Sequence, residues 1–386
     1  MSSACSASGS HEYIVVFRAP SAAWFEPSSL LCVHVPRPAG NVVLTFQTRH
    51  VDRGLEHPLP GDLWVDARGP ASSLEEAVSV FGNAAGTVVP VIAFSTNAAI
   101  GDLEPELAYD NTPGLTTRDF LQSMLPDEPP VIHVRRRVNV GTVTALMKAV
   151  EEHEEKDRIG RAISQYSLAL RHWRWGHEAL ATAHLFMGME ALTKAIVRAH
   201  PNYAGLSKDD LAARLGIETD RLDPSQRLET EILARVRRTV LFQDDRECHR
   251  DAKKASDGFE HGYMPFDQIR DYARRVRDRT AAYLREAILN LVGIEDAHRA
   301  TLLAPPFDQP LGNWPVVKYV RGHLLGDSDD LASEQNEYPI MSWRSKITSV
   351  DIDEAGEYKA KFDEQLTARL GEGISFQAES FEVWRP

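Results

Sequence analysis

The sequence predicts an α+β protein. A central bundle of four or five helices is expected between an N-terminal β-rich domain and a smaller C-terminal β-rich segment. Three observations carry this. Short β-branched runs broken by Pro and Gly fill residues 1–142 and return after 298. Apolar stripes at three- and four-residue spacing fill residues 143–297. Charge divides along the same lines, with 25 of the 43 basic side chains in the middle segment.

In residues 1–142, Tyr13 to Phe17 and Leu30 to Val35 read as short strands, and Val42 to Gln47 alternates at period two. A short helix is expected at Ser72 to Phe81. Thr87 to Phe94 is rich in β-branched residues and reads as another strand. Val131 to Val138 closes the segment as a strand carrying Arg135, Arg136 and Arg137. Alternate residues of a strand point to opposite faces, so these three do not make one patch.

In residues 143–297, Ile163, Tyr166, Ser167 and Leu170 mark one helical stripe. His177 to Ala199 is apolar nearly all round, as a helix covered on several sides would be. Leu233, Val236 and Val240 mark a helix from about Ser225. Ile269 to Leu291 holds its stripe for about six turns, with Pro265 at its start. Between these last two, Asp244 to Met264 is dense in polar groups, and Gly258 and Gly262 are expected to break it into a short helical piece and turns. In residues 298–386, Val316 to Val320, Met341 to Val350, Tyr358 to Leu370 and Ile374 to Trp384 read as strands. They form a small unit or complete the N-terminal sheet.

Composition removes several classes. The net charge of −13 argues against a chain coated in nucleic acid. Three cysteines without CxxC spacing fit neither a disulfide framework nor a thiolate zinc site. The greasy stretch Gly86 to Ile100 is interrupted by Pro90, Ser95, Thr96 and Asn97, so no membrane span is expected. The first ten residues lack the basic and apolar regions of a signal peptide. A cytoplasmic protein follows from these readings. GxxxxGK[ST], GxSxG and HExxH are all missing from the sequence, which removes the usual signatures of nucleotide hydrolases, serine hydrolases and zincins. No cofactor and no metal are expected. His177 and His184 share a helix face with Glu190 beyond them, but bundle metal sites use paired Glu-x-x-His motifs that this sequence lacks.

The polar joint Asp244 to Met264 is the candidate site. A buried helix reading Leu185-Phe186-Met187-Gly188-Met189-Glu190-Ala191-Leu192, then a polar helix, then His261-Gly262 before the last long helix, resembles the HEPN superfamily. The likeness covers roughly residues 158–293. It implies a helical bundle, usually homodimeric, acting on RNA through a motif of Arg, four to six residues, then His. His261 matches the histidine end. The arginine end departs from the pattern: Ser256-Asp257 stands where the arginine pair is usual, and Lys254 is the one cation in the window. The segment around Ser256 is also similar to the uncharacterised MauJ proteins linked to methylamine utilization, a likeness that implies no chemistry.

On this reading His261 is the proton carrier for cleavage at a ribose 2′-hydroxyl, a task that suits histidine as a residue type. Lys254, with Ser256 and Asp257 beside it, takes the place of the phosphate clamp. Lysine lacks the planar fork with which arginine holds two phosphate oxygens. Arg250, Arg235 and Arg238 supply further cations, and Arg270, Arg274 and Arg277 fall on one helix flank as an anion-binding groove. His261-Gly262 also has the form of a helix carboxyl end, a cation followed by a capping glycine. His172-Trp173-Arg174-Trp175 offers aromatic rings for a base or for packing between domains. Two functions remain open: an RNA-directed protein, either a weak metal-independent ribonuclease or a binder with a degenerate site; or a non-enzymatic accessory protein whose bundle dimerises and whose β segments recognise a protein partner. A cation converging on His261 favours the first; a capped His261 with no facing cation favours the second.

Overall fold

The computed structural model describes residues 11–51, 57–113, 120–122, 134–174, 176–219, 227–312, 317–325, 340–370, 373 and 375–384. The chain begins with β1 (His11–Ala19), apolar on both faces and therefore suited to the inside of a sheet. β2 (Ala23–Trp24), β3 (Leu31–Arg37), β4 (Gly40–Val51) and β5 (Leu59–Ala71) follow. In β4 the period-two pattern is realised: Val42, Leu44, Phe46 and Thr48 are buried while their neighbours are more open. With β6 (Glu104–Asp110) and β7 (Phe120–Gln122), strands β1, β3, β4 and β5 make a six-stranded sheet, order β3-β4-β5-β1-β6-β7. Val15 is paired with Ala67 on one side and Ala108 on the other.

α1 (Leu74–Thr96) lies between β5 and β6 in sequence and corrects two expectations. The short helix at Ser72 to Phe81 runs on through Thr87 to Phe94, which is helix rather than strand. Propensity lost to burial: Phe81, Ala84, Ala85, Val88, Ile92 and Ser95 repeat at three- and four-residue steps, and all are buried. Ser73 caps the helix start by accepting from the Glu76 amide at 3.2 Å. Among the described residues α1 alone is long and apolar enough to cross a membrane, and half of that window is buried inside the fold.

β8 (Val134–Arg137) leads into α2 (Val140–Glu152), α3 (Lys156–Arg171), α4 (Glu178–Ala199), α5 (Lys208–Arg214) and α6 (Leu228–Val236). A π-helical turn spans Arg237–Leu241. Then come α7 (Arg246–His261), α8 (Phe266–Val292) and α9 (Asp296–Leu303). α3, α4, α7 and α8 form the bundle, and α1 packs against α3. Gly188 lets α4 and α8 approach closely, since a Cβ there would stand 2.7 Å from Leu284 Cδ2. The expected break at Gly258 is absent: α7 runs unbroken through it, because Gly258 packs against Ile269, where a Cβ would meet Cγ1 at 3.0 Å. The helix expected from about Ser225 begins at Leu228, and Ser225 itself lies outside the described residues.

The C-terminal segment holds β9 (Val317–Leu325), β10 (Ile340–Ile352), β11 (Glu357–Arg369) and β12 (Ser375–Trp384). β9 pairs with β12, and β10-β11-β8-β2 form a four-stranded sheet. β11 joins β8 through Tyr358↔Arg135, and β8 runs parallel to β2. The C-terminal segment therefore shares a sheet with N-terminal strands, though not the six-stranded one. The boundaries at 142 and 297 fall inside α2 and α9.

One polar hub ties the segments together. The last turn of α1 is buried, so its orphan carbonyls need donors. Arg285 of α8 donates to Phe94 O, to Ser95 O at 3.2 Å and to Leu302 O at 2.8 Å. Arg136 of β8 donates to Asn97 O at 2.8 Å and Gln309 O at 2.5 Å. Asn97 closes α1 in the left-handed region at φ 48°, and its Oδ1 accepts from Tyr166 of α3 at 2.8 Å. Arg135 points the other way, to Ser21 O at 2.6 Å and Gly61 O at 2.5 Å, as strand alternation requires.

Candidate functional site

The polar joint becomes α7 and the corner that turns it into α8. Asp245 caps the start of α7 by accepting from the Cys248 amide at 3.0 Å. Gly262, at φ 63°, ends it and donates to Gly258 O at 3.0 Å. His261 is the last helical residue and is exposed. Three aromatic side chains surround it in sequence and stand open to solvent: Phe259 at 39%, Tyr263 at 60% and Phe266 at 53% exposure.

The remaining predicted residues divide by direction. Ser256, five before His261, is fully buried, and its hydroxyl donates to Glu260 Oε1 at 2.6 Å. A long cation placed there would point into the bundle, not toward a ligand at His261. Asp257 is held by Lys253 one turn earlier. Lys254 lies over the Tyr272 ring at 5.1 Å, a cation–π contact.

The arginines face carboxylates. Arg270 and Arg274 flank Glu178 at 4.0 and 3.2 Å. Arg277 lies over Trp173 at 4.2 Å and reaches Asp278 at 3.0 Å. The flank thus faces the start of α4 and Trp173, where sequence spacing placed an anion groove. Arg250 bonds Asp251 at 2.8 Å, with Arg275 on the other oxygen at 3.2 Å. Arg235 pairs with Glu231 at 3.7 Å and Arg238 with Asp244 at 3.5 Å. No arginine among these is brought to His261 by a hydrogen bond or ion pair among the described residues.

Two buried carboxylates that sequence reasoning missed therefore organise the site. Burial pushes Glu178 up. Backbone amides of Glu178 and Gly176, with the Arg274 guanidinium, outweigh it and hold the carboxyl below its usual range. Asp251 shows the same balance: burial opposes ionisation, and Arg250 and Arg275 win. The signal for Glu178 was present, since Arg270 and Arg274 stand one turn apart on α8. The partner on α4 is far away in sequence, so nothing local revealed it.

The histidines are arranged as rings, not ligands. His177 and His184 both stack on His172, with centroids at 5.8 and 5.6 Å and interplanar angles of 19° and 6°. Glu190 is instead paired with Arg237 at 3.0 Å. Among the described residues no three His, Cys, Asp or Glu side chains converge as a metal site. Burial, helped by the neighbouring histidines and arginines, lowers His172 to about 4. His249 packs edge-on against Phe242 at 5.2 Å and is likewise lowered to about 4 by burial, with Arg237, Arg238 and Lys253 adding to it. Its neighbour Cys248 is buried, which pushes the thiol up to about 11 and removes it as a nucleophile at neutral pH. Trp173 is buried, while Trp175 lies outside the described residues.

Chemically, an exposed histidine at a helix end can exchange protons, but cleaving a phosphodiester also needs a positioned positive charge on the phosphate. At this corner the arginines are already bound to carboxylates. Comparison with family models, with curated proteins and with solved structures gives no match to this chain.

Proposed function

We propose that this chain is a non-enzymatic interaction protein, and that the α7–α8 corner is the face by which its bundle pairs with a second copy. The carrying observation is the exposure of Phe259, Tyr263 and Phe266, close in sequence to His261 at the Gly262-capped end of α7. Clustered exposed aromatics mark interaction surfaces. The carboxylate pairing of Arg270, Arg274, Arg250 and Arg238 supports the same reading, because it leaves the corner without a phosphate clamp. The HEPN likeness also implies a homodimer. Light scattering of the purified chain tests this. Wild type is expected as a dimer, and Tyr263→Asp with Phe266→Asp as a folded monomer. A monomeric wild type overturns the reading.

The second reading is RNA binding at the same corner. The exposed rings favour it, since aromatic side chains stack unpaired bases, and Lys254 has no carboxylate partner among the described residues. Incubating wild type and His261→Ala with mixed cellular RNA in EDTA separates the two. The dimer reading expects no cleavage by either protein. Cleavage by wild type that His261→Ala loses would establish metal-independent nuclease chemistry instead.

A further inference from the structure

At the other end of α7 the chain breaks three local rules within eight residues. Arg237–Leu241 is a π-helical turn, and the two non-glycine residues Gln243 and Asp244 follow with left-handed φ of 49° and 61°. π-turns concentrate at functional sites, and such backbone persists only where the surroundings hold it. Val240, Leu241 and Gln243 of this stretch border a cavity of about 470 Å³, within the range of pockets that bind small molecules.

Apolar side chains line part of the cavity: Ile196 from α4, Val240 and Leu241 from the π-turn, Leu291 from α8. Its polar groups are His200, Gln243, Tyr283 and Asn290. Two of these have already used a donor. The Tyr283 hydroxyl donates to Asp245 Oδ2 at 3.1 Å, and Gln243 Nε2 donates to Glu286 Oε2 at 2.9 Å. Tyr283 Oη and Gln243 Oε1 still offer acceptor lone pairs, and Gln243 Nε2 keeps one further N–H. Behind them stand two carboxylates, of which Asp245 is paired with Arg279 at 2.9 Å. The C-terminal end of α4 also meets the cavity at Ala199, His200 and Pro201, bringing the negative end of the helix dipole.

We infer that this cavity is a binding site for a small apolar amine. Its body packs on the apolar side chains of Ile196, Val240, Leu241 and Leu291, and its ammonium donates to the acceptors of Tyr283 and Gln243 under the field of Asp245, Glu286 and the α4 terminus. The same field disfavours a carboxylate. The site is independent of the proposed dimer face, because the 16 residues of α7 put about 24 Å of helix between them.

Calorimetry and thermal-shift titration of the full chain with phenethylamine, phenethyl alcohol and phenylacetate test it. The amine is expected to bind saturably, the alcohol at least about ten-fold more weakly, since it keeps a donor but not the charge, and phenylacetate not at all. Tyr283→Phe is expected to weaken the amine by about ten-fold, the worth of one lost hydrogen bond to a charged group. Ala287→Trp fills the cavity and is expected to abolish binding; Ala199→Phe does the same from the opposite wall should the first variant not fold. Phenylacetate binding as well as the amine, no amine binding, or amine binding unchanged in a folded cavity-filled variant would each overturn the inference.

Discussion

Arg285 offers the most direct test of how the three segments cohere. It is buried, and among the described residues no carboxylate is paired with it; its guanidinium instead serves the carbonyls of Phe94, Ser95 and Leu302. Burial pulls its pKa down, yet the negative end of α1 offsets much of that cost. Arg285→Met keeps the length and removes every donor. Ser95 O and Leu302 O then stay buried without that partner, at about 1–3 kcal/mol each, while Phe94 O keeps the Asn97 amide at 3.3 Å. Relief from burying a cation returns part of this, as when buried ion pairs are replaced by apolar side chains. The net expected loss is about 2–4 kcal/mol. Urea unfolding followed by circular dichroism reads it as a lower midpoint at unchanged slope. Arg285→Lys should fall between the two, since an ammonium can serve one or two of the carbonyls. Arg250→Met, at an exposed site, should move the urea midpoint far less. A Met variant within about 1 kcal/mol of wild type would refute the claim that Arg285 holds the end of α1.

Three further outcomes are expected. Folding lowers His172 and His249 to about 4 from 6.5. Their neutral forms therefore favour the fold, so their contribution is complete above pH 6.5 and is lost as pH falls toward 4. After discounting for partial exposure, the loss is about 1–2 kcal/mol per ring. Urea midpoints at pH 7 and pH 5 measure it, and His249→Phe should flatten the slope; equal midpoints at both pH values contradict it. Glu178→Gln leaves Arg270 and Arg274 facing a neutral amide and should cost about 2 kcal/mol, less than a fully buried pair because both arginines are partly wet; thermal unfolding checks this. Gly188→Val should cost about 1–3 kcal/mol by forcing α4 away from Leu284, and the same thermal assay would expose the error if the variant unfolds like wild type.

The α+β class and the order of its parts were legible because period-two and period-3.6 patterns survive in the sequence. β4 and α8 show them most plainly. What failed to show was set by burial on several sides. α1 reads as strand at Thr87 to Phe94 because β-branched residues and Pro90 suggest it, yet the sheet and α3 cover it and make a helix the better packing. Gly258 reads as a break because a glycine weakens an isolated helix. In place it is a spacer against Ile269. The strand β5 went unread because its Asp62 and Asp66 disturb the alternation; Asp62 is buried beside Arg18 at 3.9 Å, and Asp66 accepts from Gln47 at 3.0 Å.

The candidate site was half legible, and the missing half changes its meaning. Spacing alone placed Arg270, Arg274 and Arg277 on one flank of α8, and the flank exists. A flank of cations becomes an anion site only if no protein carboxylate reaches it first. Glu178 reaches it from α4, and Asp251 does the same for Arg250 and Arg275. Both carboxylates are buried, so neither swings away at little cost to admit a phosphate. Cationic density in a sequence measures the supply of charge, whereas binding depends on what remains unpaired after folding. By that measure the α7–α8 corner offers aromatic surface before it offers charge.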